Sequence, residues 1–74
     1  MITVKLCYLA DGKPAESVRV ALGFDGFLRG VSEDQWTDSN GEAHFDNDPG
    51  NGKVFVRGST SFTGYLAGRV VVYI

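Results

Sequence analysis

Residues 2–9 read ITVKLCYL and residues 17–24 read SVRVALGF, and this pair decides the fold class. In the first run Ile2, Val4, Leu6 and Tyr8 alternate with Thr3, Lys5 and Cys7. In the second, Val18, Val20, Leu22 and Phe24 share one face while Arg19 and Ala21 take the other. An apolar residue at every second position marks a half-buried strand, because successive side chains of an extended chain point to opposite faces. Ala10-Asp11-Gly12-Lys13-Pro14 separates the two runs. Glycine there permits φ > 0 and proline removes a ladder donor.

Working outward, the same grammar continues to the C-terminus. Thr37-Asp38-Ser39-Asn40-Gly41-Glu42 is a tight turn: Asp38 can accept hydrogen bonds from downstream backbone amides, and Asn40-Gly41 suits left-handed conformations. A strand from Glu42 to Phe45 follows, burying Ala43 and Phe45 and turning His44 outward. Asp46-Asn47-Asp48-Pro49-Gly50-Asn51-Gly52 is a second loop, after which Lys53 to Arg57 and Tyr65 to Ile74 supply the last strands. Phe24 to Asp34 reads as a long loop with a short strand near Leu28 to Val31. Trp36 is expected to return the chain to the core, since one tryptophan brings a large apolar area to so small a domain. No window sustains a 3.6-residue apolar period. Six or seven short strands with regularly spaced turns make an all-β domain over residues 1–74, a sandwich or a small closed barrel.

Composition narrows the function classes. With 7 Lys and Arg against 9 Asp and Glu, the net charge is −2 and no basic stripe is present to neutralise phosphates, so nucleic acid is not an expected partner. The longest apolar stretch, Val70 to Ile74, is of strand length, far below the ~20 residues of a helix that crosses a bilayer. No membrane insertion is expected. Cys7 is the single cysteine, which excludes a disulfide within the chain. The N-terminus shows no basic region followed by an apolar run. The chain is cytoplasmic if Met1 is the native start, and extracytoplasmic if these residues come from a longer exported chain.

The order of motifs resembles a known family. Asp11-Gly12-Lys13-Pro14 followed by Val18-Arg19-Val20 is similar to the opening of a carboxypeptidase regulatory-like domain. Thr37-Asp38-Ser39-Asn40-Gly41-Glu42-Ala43-His44-Phe45 resembles that family's threonine-aspartate, turn, glycine and aromatic strand. Gly52-Lys53-Val54-Phe55-Val56-Arg57-Gly58 resembles its following glycine-led strand. The resemblance spans about Ile2 to Gly58. It implies a prealbumin-like (transthyretin-like), antiparallel Greek-key sandwich, and a non-enzymatic accessory or adhesive module. Bacterial immunoglobulin-like adhesin modules are a second resemblance.

Chemistry-bearing constellations are sparse. His44 is the only histidine, and no nucleophile motif accompanies it. Hydroxyisourate hydrolases, which share the transthyretin-like fold, resemble one another in needing further histidines and a Tyr-Arg-Gly-Ser ending; this chain runs to Val71-Val72-Tyr73-Ile74. An isopeptide bond from Lys5 lacks an asparagine on the last strand. No catalytic residue and no cofactor is therefore expected. Oxygen donors for calcium crowd Asp38 to Asn51, yet turns favour the same residues without a metal. The expected role is a protein-interaction module with a protein partner or a second copy of itself. The alternative is a ligand-binding module that takes calcium or carbohydrate in the acidic loops or beside Trp36. If Val54 and Val56 point inward with Val70, Val72 and Ile74, then Phe55, Val71 and Tyr73 point outward. Were their strands in one sheet, they would form an apolar interface, with Leu9 beside it. The competing arrangement folds Gly58 to Tyr65 over that face, with Phe62 as the cover.

Overall fold

The computed structural model of the chain describes residues 1–26 and 30–74, and every regular element among them is a β-strand. In chain order these are β1 (Ile2–Cys7), β2 (Arg19–Phe24), β3 (Gly30–Val31), β4 (Gln35–Trp36), β5 (Glu42–Phe45), β6 (Gly50–Val56), β7 (Ser59–Leu66) and β8 (Gly68–Tyr73). They form two sheets: a three-stranded one ordered β5-β1-β8, and a five-stranded one ordered β3-β2-β6-β7 with β4 also paired to β2. The all-β, sandwich-like reading holds.

The core lies between the inward faces that alternation marks out. Ile2, Val4 and Leu6 of β1 meet Val20 and Leu22 of β2, Val54 of β6 and Leu66 of β7, all fully buried. Each such side chain contributes about 1.5–3 kcal/mol by leaving water, and these residues hold the two sheets together. Val18, Phe24, Ala43, Phe45, Val70 and Val72 are buried as the pattern requires, while Arg19 and His44 are exposed.

One buried polar residue ties the sheets to their loops. Thr37 is 4% exposed; its Oγ1 donates to the Ala15 carbonyl at 2.6 Å and accepts from the Val18 amide at 2.9 Å. The next residue, Asp38, opens the turn. Its Oδ1 accepts from the Asn40 and Glu42 amides, and the Gly41 amide donates to its carbonyl. Gly41 has φ 76, and a Cβ there would sit 2.5 Å from the Leu6 carbonyl oxygen. Both conformation and space demand glycine.

Several expectations are corrected. Eight strands, not six or seven, are found among the described residues. The antiparallel expectation fails for β1 and β8, which run parallel in unbroken register from Ile2↔Gly68 to Cys7↔Tyr73. Tyr65 to Ile74 is not one strand: the chain leaves the five-stranded sheet at Leu66 and enters the other at Gly68. Gly58 to Tyr65 does not fold over a sheet face. It pairs edge-on with β6 through the two-residue Arg57-Gly58 turn, and Phe62 packs inward against the core. Of the short strand expected near Leu28 to Val31, Gly30–Val31 is observed as β3; Leu28 and Arg29 lie outside the described residues.

Trp36 is the plainest reversal. It is 59% exposed, because β4 sets it opposite Arg19, an outward residue of β2. Thr37, one residue on, takes the interior position instead.

Candidate interaction surface

Register gathers the outer face of the five-stranded sheet. Trp36 pairs with Arg19, Phe55 with Ala21, and Val31 with Gly23, so side chains from β2, β3, β4 and β6 emerge together. The floor is made of small residues. The Phe55 ring lies against Gly23, its Cε2 2.6 Å from where a Cβ would stand, and Ala21 beside it is nearly covered. Because these positions have so little side chain, a cavity of about 260 Å³ opens between Arg19, Val31, Asp34, Phe55 and Gly58. The Arg19 guanidinium extends over Gly58, 3.6 Å from the site of a Cβ there. Val31 stands exposed on the cavity lining, and Trp36 stands exposed opposite Arg19.

The outer face of the three-stranded sheet is chemically different. Arg69 Nη1 reaches Glu42 Oε2 at 2.7 Å, Thr3 Oγ1 lies 3.0 Å from His44 Nδ1, and Lys5 donates to the Asn40 carbonyl. His44 Nε2 comes within 4.0 Å of Asp38 Oδ2. The Asp38 carboxyl is held below the ordinary aspartate range, chiefly by the Glu42 amide; desolvation, the next influence in size, opposes this, and the Asn40 amide, His44 and Lys5 add to the lowering. These polar groups largely satisfy one another.

Two chemical readings of that polar face can be weighed. Asp38, Glu42 and His44 hold donor atoms within 4.8 Å of one another, a spacing a metal ion could bridge. A cation would have to displace the Arg69 guanidinium from Glu42 and compete with two backbone amides for Asp38. Thr3, His44 and Asp38 also line up as hydroxyl, imidazole and carboxylate. β1 is the central strand, however, with ladder partners on both sides, so the amides of β1 itself are committed to the sheet.

The residues expected at an interface do not form one patch. Phe55 is half-buried in β6 of the five-stranded sheet, whereas Val71 and Tyr73 belong to β8 of the three-stranded sheet. The crossing at Ala67 puts them on opposite outer faces. Val71 and Tyr73 are exposed, as is Leu9. Cys7, expected outward with them, is buried beneath its bridge to Pro14. Trp36 is the surface residue that sequence reasoning missed. Its signal was the alternation running into the Thr37-Asp38 turn, which puts Trp36 and Thr37 on opposite faces. Neither a family model, nor a curated protein, nor a solved structure matches the chain. Among the described residues no helix is long and apolar enough to cross a membrane.

Proposed function

We propose that this chain is a non-enzymatic accessory or protein-interaction module that meets its partner through the outer face of the five-stranded sheet. The observation that carries this reading is Trp36: the chain's one tryptophan is exposed opposite Arg19, whose side chain lines a cavity floored by small residues. Tryptophan and arginine are the side chains most enriched among residues that dominate binding energy, especially beside pockets. The carboxypeptidase regulatory-like, Greek-key prealbumin arrangement is part of the same proposal; two sheets and the Thr37–Gly41 turn support it.

Photo-crosslinking residues at Val31 and at Thr3 compare the two outer faces directly. The module reading expects a partner captured from Val31 and not from Thr3, and bound about tenfold or more weakly by Trp36→Ala. Equal capture from both positions, or unchanged binding by Trp36→Ala, overturns it.

The alternative, a ligand-binding module, rests on a second cavity of about 240 Å³ where Ser32, Glu33, Gln35, Asp46 and Asn47 bring oxygen donors beside Phe45. Calcium held there would raise the melting temperature on titration, since a ligand of the native state alone must stabilise it. An unchanged melting temperature removes calcium. Carbohydrate beside Trp36 is tested by the same thermal measurement with oligosaccharides.

A further inference from the structure

We infer that β8 is a self-pairing edge, and that two copies of the chain join antiparallel through it about a twofold axis at Val71. The argument starts from which backbone groups β8 leaves open. Ile74 donates its amide to the Cys7 carbonyl at 2.9 Å, and its carbonyl accepts from the Leu9 amide at 2.8 Å. Within a strand the direction of the backbone groups alternates, so Val72 and Val70 face β1 as Ile74 does. The amides and carbonyls of Arg69, Val71 and Tyr73 therefore point to the free edge of the sheet, where β8 is the terminal strand.

Among the described residues the other edges are blunted in ways that β8 is not. β3 and β4 are two residues each. β5 has four residues. β7 is long, but Val54↔Phe62 gives way to Phe55↔Thr60, which leaves Ser61 as a bulge that bends the edge. β8 has six residues in unslipped register, with no proline, no lysine and no bulge. Those devices hinder strand addition; the one charge on β8, Arg69, is drawn across β1 to Glu42, which leaves the edge a template for another strand.

Symmetry selects the occupant. An antiparallel copy centred on Val71 sets Val71 against its counterpart and Arg69 against the counterpart of Tyr73, on both sides of the axis. Each of these pairs exchanges an amide and a carbonyl, and Arg69, whose guanidinium is held by Glu42, faces no like charge across the seam. A parallel copy would stack Arg69 on Arg69. The twofold arrangement pairs both β8 edges at once, whereas joining β8 to any other edge propagates head to tail into a ring or a filament. The exposed sides of Val71 and Tyr73, 45% and 58% accessible, become adjacent across the new seam.

Amide hydrogen exchange read residue by residue over a concentration series, with sedimentation on the same samples, tests this. The proposal expects Val70 and Val72 to be protected at every concentration. Arg69, Val71 and Tyr73 should exchange freely when dilute and gain about tenfold or more protection as the mass doubles. Val71→Lys should hold the mass at that of one chain while Val70 and Val72 stay protected. If that variant fails to fold, the concentration series on the unaltered chain decides alone. Three results overturn the proposal: a constant single-chain mass with those three amides always fast, a dimer that forms without protecting them, or protection that appears only when a different protein is added.

Discussion

The two outer faces of the sandwich spend their polar groups differently. On the three-stranded sheet Glu42, Arg69, Lys5, Thr3, His44 and Asp38 are engaged with one another and with the Asn40–Glu42 backbone. On the five-stranded sheet the outward row is Trp36, Arg19, Ala21, Phe55, Gly23 and Val31, with a cavity where side chains are missing. The polar groups of the first face satisfy one another, with Val71 and Tyr73 exposed beside them on β8, while the second offers a cavity and an exposed tryptophan. The change from turn to open surface falls between Thr37 and Trp36, neighbours in the chain with opposite burial. The polar face is anchored by a turn that the fold needs, and the apolar face is free of that duty.

If this contrast is right, the largest loss of stability comes from the turn. Gly41→Ala is expected to cost about 2–4 kcal/mol, because it adds an overlap with the Leu6 carbonyl to the strain of a positive φ. Urea unfolding measures it, and a neutral effect would remove the turn's structural role. Thr37→Val preserves shape but orphans the Val18 amide and the Ala15 carbonyl, and is expected to cost about 1–3 kcal/mol. A variant as stable as the parent would show that those groups find other partners.

Acid should act on the same turn more gently, since the Asp38 side chain is half exposed. Its carboxyl is depressed in the folded state relative to the unfolded chain. The unfolded chain therefore binds the proton first, and the stabilisation is present above the ordinary aspartate range, near pH 4, and is lost as pH falls through the lower folded value. Melting temperatures of the parent and Asp38→Asn should differ at neutral pH and converge in acid. A gap that persists unchanged into acid contradicts the assignment.

How much of this was legible follows from where side chains alternate. β1, β2 and the Asp38–Gly41 turn are written locally, in period-two apolar positions and in residues that suit the turn geometry. β7 is not: Ser59, Thr60, Ser61, Thr63 and Gly64 leave only Phe62 and Leu66 as inward apolar marks, and the Ser61 bulge breaks the period between β7 and its partner. The crossing at Ala67 is illegible for a different reason. Sheet membership depends on which strands meet in space, and Val70 and Val72 would alternate identically in either sheet. The candidate surface suffered from both gaps. Alternation points Phe55 away from Val54 and Val56, but its neighbours Trp36, Val31 and Arg19 arrive from strands whose pairing is tertiary. For Trp36 size and alternation point in opposite directions, and alternation, with Thr37 inside, places it outside.

The smallest expected effect lies on the other side of the comparison. Trp36→Ala should change stability by under about 1 kcal/mol, as a substitution on an open surface does, while altering whatever that face binds. A loss on the order of 3–5 kcal/mol, the cost of emptying a tryptophan site in a core, would reverse the assignment of the two faces.

Collisional quenching of the single tryptophan tests the central claim most directly, because Trp36 is the chain's only indole. With the five-stranded face open, acrylamide should quench native Trp36 nearly as efficiently as it does in the urea-unfolded chain, and the native emission should lie close to that of free indole in water. A blue-shifted native emission that resists acrylamide and reddens on unfolding would contradict the account, and would return Trp36 to the core.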